Sequence, residues 1–272
     1  MIQSSQPSLM KLTKDNYYDH VTDWQYMSAT IFKSFMQCEG ATLAKIKSDK
    51  LVDETATPLL VGNYVHSYFE SAKAHEAFRK AHAKEMLTQK GALRSEYKTA
   101  DAMIGRLEAD DFFNFVYQGE KESIVSGELF GVEWKGKIDC LNLEKGYFVD
   151  LKTAADLHKR VWSDRFGGYV SFILAYGYVL QMYVYKELLQ QMYHKPFTPY
   201  IFAVSKQSPP DIAAVKIDDA RYSLEAEYIK KHLPRIMDVM NGEIEPHYCG
   251  ECDYCRHNKQ LHGFIEVDRL LN

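Results

Sequence analysis

The stretch Gly127–Thr153, GELFGVEWKGKIDCLNLEKGYFVDLKT, constrains the fold more than any other part of the chain. It holds two extended runs joined by a polar turn at 142–146. In the first run Trp134, Gly136, Ile138 and Cys140 alternate with Glu133, Lys135, Lys137 and Asp139. In the second, Phe148, Asp150 and Lys152 alternate with Tyr147, Val149 and Leu151. This is the period of a strand pair. Asp150 and Lys152 therefore share a face, about 7 Å apart along the strand, and pairing brings Asp139 beside them. Read from the residues alone, a half-exposed hairpin with a surface ion pair is the plain alternative, but the apolar flanks Tyr147-Phe148-Val149 and Leu151 do not suit a solvated edge. Carboxylates so placed cost stability when buried without a purpose, and a divalent cation between them removes that cost.

The chain of 272 residues, 46% hydrophobic, is long enough for one sizeable domain spanning 1–272, with a core at about 60–217 and its ends folded back. Its net charge of -4 gives no global attraction to nucleic acid, so any such contact has to come from a local patch. Lys135, Lys137, Lys159, Arg160 and Arg165 are the candidates, with a solvated surface as their alternative reading. Residues 1–16 are polar and lack the apolar core of a secretory leader, which makes a cytosolic protein the expectation.

Ser28 caps an expected helix ending near Cys38, with Ile31, Phe32 and Phe35 on its apolar side. Helical spacing continues to about residue 50, over 59–89 and over 94–117. Within it His66 and Glu70 lie one turn apart on a shared face. Residues 122–130 read as a strand leading into the hairpin. The run Phe166–Tyr185 carries no charge over nearly the length of a membrane span, yet its three Gly and five Tyr favour a buried helix over about 169–193. On that helix Leu174, Tyr178, Gln181 and Tyr185 recur at helical intervals. Strands are expected at 200–206 and 212–217, and an amphipathic helix at 219–240. Near the end, Cys249, Cys252 and Cys255 form C-x-x-C-x-x-C, which in a cytosolic protein indicates metal rather than disulfides. Cys140 reads as a small core residue.

Asp139 followed after ten residues by Asp150-Leu151-Lys152 resembles the D…(D/E)-x-K signature of the PD-(D/E)XK nuclease superfamily. Ile138 stands where that signature often has Pro, and the second acid is Asp. With His66 before it and Gln181-x-x-x-Tyr185 after it, the order resembles the RecB-like branch. This branch includes the RecB and AddB nuclease domains, RecE-type phage exonucleases and the CRISPR adaptation nucleases, and a free-standing chain of this kind is most like the RecE type. The resemblance implies an α/β fold with a restriction-endonuclease-like core. A mixed central sheet with strands at 122–130, 132–141 and 147–152 would be flanked by the His66 helix and the helix at 169–193.

It also implies roles. Asp139 and Asp150 would hold one or two Mg²⁺ or Mn²⁺, with His66 adding a nitrogen and the Leu151 carbonyl completing the set. Lys152 would orient or help deprotonate the attacking water, and Gln181 and Tyr185 would position it or the DNA end. Glu70 and Glu128 are further acidic candidates. Cys38 would join Cys249, Cys252 and Cys255 around a [4Fe-4S] cluster, as in AddB and the CRISPR adaptation branch, stapling 28–40 to 247–257. Zinc held by the three Cys with Cys38, His257 or His262 is the rival filling. The implied function is a metal-dependent DNA exonuclease acting on linear double-stranded ends, supplying strands to a single-strand annealing protein. A ring-forming homo-oligomer, a bacterial host cytoplasm for a phage-encoded protein, and no membrane partner go with it. The alternatives are an endonuclease or single-strand nuclease of the same fold, and a non-catalytic DNA-binding module. The intact Asp139, Asp150 and Lys152 argue against the last.

Overall fold

A computed structural model describes residues 9–48 and 57–268. The first eight residues and positions 49 and 50 of the expected early helix lie outside the described residues. Three short helices open the chain: α1 (His20–Gln25), α2 (Ala29–Gln37) and α3 (Glu39–Lys47). Ser28 caps α2 as expected, its Oγ accepting from the Ile31 amide at 3.1 Å. The Cys38 Sγ accepts from the Ala41 amide at the start of α3. The helical region that follows is divided into α4 (Thr57–Glu70), α5 (Ala72–Ala81), α6 (Ala83–Met86), α7 (Ser95–Glu108) and α8 (Asp111–Val116).

Strands β1 (Glu120–Leu129), β2 (Val132–Asn142) and β3 (Tyr147–Ala154) form an antiparallel meander. The chain then makes a small ribbon, β4 (Val161–Ser163) with β5 (Gly168–Val170), followed by α9 (Phe172–Ala175) and α10 (Tyr178–Tyr193). Strand β6 (Thr198–Ser205) returns parallel to β3, and β7 (Ile212–Lys216) pairs antiparallel with β6, giving the sheet order β1-β2-β3-β6-β7. Helices α11 (Asp219–Asn241) and α12 (Asp253–His257) end the fold. The mixed five-stranded sheet between helical layers is the expected restriction-endonuclease-like architecture.

Alternation along the strands sends side chains into two cores. Phe148 and Ile201 pack with α2, α10 and α11, whereas Val149, Leu151 and Phe202 pack with α4, α7 and α8. Strand β2 departs from simple period two. Trp134 and Ile138 belong to the first core, yet Cys140 belongs to the second and Leu141 to the first. The phase breaks at Asp139. On one side the β1–β2 register runs from Lys121↔Cys140 directly to Ser123↔Ile138, and on the other the β2–β3 pairing stops at Cys140↔Val149. Asp139 is thus left out of both ladders, and local disruption of this sort re-aims a side chain.

The uncharged run is not one helix. Gly167 and Gly177, both left-handed, interrupt it, and it divides among β5, α9 and α10. Among the described residues no helix is long and apolar enough to cross a membrane. Where β3 has diverged from β2, the segment before α2 takes its place: the Met27 amide donates to the Glu133 carbonyl and the Lys135 amide to the Met27 carbonyl. That bridge fixes where α2 begins.

Candidate functional site

The sequence motif residues converge at the gap in the sheet. From β2, Asp139 accepts the Leu151 amide at 2.6 Å through Oδ2, so a carboxylate substitutes for the missing ladder bond. Its Oδ1 lies 3.4 Å from His66 Nδ1 on α4. From β3, Asp150 accepts from Gln181 Nε2 at 3.0 Å, and its Oδ2 faces the Lys152 ammonium at 2.6 Å. Gln181 also donates to the Tyr185 hydroxyl at 3.2 Å. Tyr185 reaches this position because its ring lies against Gly136, where a Cβ would sit 2.5 Å from it.

The structure adds Glu122. It faces Asp139 across the unpaired rung of β1, with φ of 55° in the left-handed region. Such a conformation is rare for a non-glycine residue and tends to gather at functional sites. Glu122 is buried and ion-paired with Lys137. Donor atoms of His66, Glu122 and Asp139 all lie within 4.8 Å of one another. Asp150 is not in that trio; it is held by Lys152 and Gln181. Glu128 lies exposed toward the other end of β1, six residues from Glu122, and Glu70 is outside the group as well. Glu122 is the residue that sequence reasoning missed.

The charges are strongly coupled. Burial alone would raise Asp139, but the His66 charge and hydrogen bond, Lys152 and the Leu151 amide hold it below its ordinary range. Burial pushes Asp150 up, and repulsion from Asp139 adds to this against the pull of Lys152. Burial opposes charge on His66 and Lys152, yet the carboxylates outweigh it and raise both. The Glu122 and Asp139 carboxylates and the His66 imidazole suit a divalent cation: hard oxygen donors fit Mg²⁺, and the histidine nitrogen fits Mn²⁺. A bound cation would lower the carboxyl groups that burial now raises.

The expected phosphate-binding cations divide. Lys135 is buried and donates to Tyr17, Thr22 and Asp23; Lys137 is tied to Glu122, and Arg165 to Glu225. Lys159 and Arg160 are exposed and make no ion pair among the described residues. Lys33, from α2, was not anticipated; its ammonium lies over the Tyr178 ring, as does that of Lys152. A cleft of about 460 Å³ between α4, α5 and α7 lies apart from these groups. Tyr64 and Tyr68, which line it, already donate to Asp101 and Glu108.

Cys38, Cys249, Cys252 and Cys255 come together, their sulfurs within 4.8 Å of one another. Cys255 Sγ is 3.6 Å from Cys38 and 3.8 Å from Cys249. These separations match the roughly 3.8 Å edge of a tetrahedron with metal–sulfur bonds of about 2.3 Å. His257 and His262 are exposed and outside the group. The tail is held nearby as well. Arg235 forms a two-pronged ion pair with Glu39, which also accepts the His247 amide, and the Gly40 amide donates to the His247 carbonyl. Gly40 has no side chain where the Tyr248 ring packs.

Comparison with known proteins gives the same reading. A crystal structure of a candidate exonuclease from Eubacterium rectale is 36% identical, with a TM-score of 0.89 over 96% of this chain and 98% of that one. Another solved structure, SSO0001, is 16% identical, covers 83% of this chain and 91% of that one, and superposes with a TM-score of only 0.30. No curated protein matches. The model of the PDDEXK-like domain of unknown function (DUF3799) matches residues 28–258. With its Asp139, Asp150 and Lys152 gathered at the sheet gap, the chain belongs to that family and so to the PD-(D/E)XK nuclease superfamily.

Proposed function

We propose that this protein is a Mg²⁺- or Mn²⁺-dependent deoxyribonuclease that degrades linear duplex DNA from its ends. The observation that carries the reading is the meeting of His66, Glu122 and Asp139 with the Asp150–Lys152 pair at one break in the sheet. The name of the Eubacterium rectale relative supports the exonuclease choice. When bound, the divalent ion neutralises phosphate oxygens and lowers the pKa of water. The protein's own groups do the rest. Lys152 keeps its proton and presents an ammonium to charge building on the phosphate, while Asp150 orients it. Gln181, with one hydrogen on Asp150 and another on Tyr185, fixes the carboxylate's direction. His66 and the Leu151 amide do the same for Asp139. The four thiols hold a metal centre that fastens the tail. The family resemblance points to iron-sulfur, and the sulfur separations suit a single tetrahedral ion. Absorbance near the visible edge and metal analysis of anaerobically purified protein separate the two.

Single strands left by such digestion would suit an annealing partner, and a ring of subunits would suit processive action on an end. The test is cleavage of end-labelled linear duplex beside a closed circle in Mg²⁺, in Mn²⁺ and in EDTA. Metal-dependent loss of the linear DNA with the circle spared is expected. A cut circle would replace the proposal with an endonuclease, and no cleavage by folded, metal-loaded protein would leave a binding module.

A further inference from the structure

Lys33 has no counterpart in the chemistry described so far. It projects from α2 and makes no hydrogen bond or ion pair with any carboxylate among the described residues. Its ammonium lies 5.1 Å from the centre of the Tyr178 ring, and the Lys152 ammonium lies 4.7 Å from the same centre. Two cations thus lie near one aromatic ring, and the first forms no ion pair among the described residues. Asp150, the carboxylate that attracts it, is already engaged by Lys152 and Gln181. A ring quadrupole offsets part of the cost of withdrawing an ammonium from water, but not the mutual repulsion of two. Burial, and then repulsion from Lys152, pushes Lys33 down to about 8 against a smaller attraction from Asp150.

The placement is built into the fold. Phe32 and Phe35 bury the neighbouring face of α2, and Ser28 fixes its start. The Lys33 stem passes over Gly177, where a Cβ would sit 2.8 Å from Cδ. Gly177 is left-handed, with φ of 64°, and begins α10 without a side-chain cap, so the positive end of that helix adds to the local field. An external anion is what this arrangement lacks.

We propose that Lys33 is a substrate-binding residue that takes a backbone phosphate of the nucleic-acid strand held for cutting, beside the phosphate presented to Lys152. This rests on the nuclease reading above. A lysine on a backbone phosphate contributes affinity and placement without sequence preference.

The experiment compares wild type, Lys33→Gln and Lys33→Arg. Glutamine keeps the stem on Gly177 and removes the charge; arginine restores the charge. Binding of fluorescent linear duplex is measured in Ca²⁺ over a range of salt, and KM and kcat in Mg²⁺. For Lys33→Gln we expect binding weakened about ten-fold, the slope of log affinity against log salt reduced by about one, KM raised and kcat little changed, with Lys33→Arg recovering the slope. A merely structural lysine would change melting temperature and leave the salt slope alone. If wild type cleaves DNA and Lys33→Gln keeps both its affinity and its slope, the subsite is refuted and the nuclease reading stands. If wild type neither binds nor cuts nucleic acid, that reading fails. The subsite is then judged by acetylation of Lys33, read by mass spectrometry, with and without inorganic phosphate: protection sustains an anion site and its absence overturns it.

Discussion

At the scale of single residues, the site separates groups that hold position from one group that must carry charge. Asp150 and Gln181 orient Lys152; of the neighbouring lysines, Lys137 is tied to Glu122, and Lys33 takes the adjoining phosphate in our reading. Lys152→Ala should therefore reduce cleavage by at least about 100-fold and leave folding and DNA binding in Ca²⁺ close to wild type. Retained cleavage would remove Lys152 from the reaction. Strand and helix periods put Asp150 with Lys152 and Gln181 with Tyr185, whereas grouping these with Asp139 and His66 came from the resemblance to the RecB-like motif order. Glu122 was not legible in the sequence. Its side chain enters the site only because the backbone there is left-handed and opposite an unpaired Asp139, and no residue type in Glu120–Ser123 announces that conformation. Glu128 looked equivalent from spacing alone, yet it sits where the strand has already left the site.

At the scale of elements, the hairpin and the Ser28-capped helix could be read from the chain, but the phase of β2 past Asp139 could not. Period two placed Cys140 with Ile138; the omitted rung moves Cys140 into the opposite core. Likewise the apolar run before α10 contained its own break at Gly177, and a three-residue ribbon such as β4–β5 leaves too few alternations to recognise. The contact between β2 and α10 depends on Gly136. Gly136→Ala should push the Tyr185 ring away, separate its hydroxyl from Gln181 and cost about 1–3 kcal/mol. Cleavage should fall with stability, and an unchanged melting curve with full activity would show that the close approach is not needed. A second joint links α3, α11 and the tail through Glu39. Burial alone would raise this carboxyl, but the hydrogen bonds from Arg235 and the His247 amide, with the Arg235 charge, hold it below its usual range. Its folded pKa is thus depressed, so its contribution is present above the unfolded value of about 4.3 and is lost as pH falls through the folded one. Denaturation curves of Glu39→Gln should lose stability near neutrality and lose this part of the acid dependence; parallel acid profiles for the two proteins would discount the joint.

At the scale of the whole molecule, the two ends of the chain meet at the thiols. Cys38 and Cys255 are 217 residues apart in sequence and 3.6 Å apart in space. A centre bound there closes almost the entire chain, and closure of so long a loop restricts the unfolded state by an amount that grows only slowly with length. The covalent analogue, a disulfide around a 100-residue loop, contributes about 4.7 kcal/mol, which sets the scale for the metal link. In a chain of this size each kcal/mol moves the melting temperature by about 2–4 °C. Cys249→Ser should then lower it by on the order of 10 °C and release the bound metal. The same helix that ends at Cys38 carries Lys33, so the loss should not be confined to stability. As α2 loosens at its C-terminal end, DNA affinity should fall and lose part of its salt dependence at temperatures where the variant is still folded, matching the signature of Lys33→Gln. A variant that loses metal and stability while keeping full affinity would mean that the bridge at Met27 and the cap at Ser28 hold α2 without help from the thiols. The centre would then serve the tail alone.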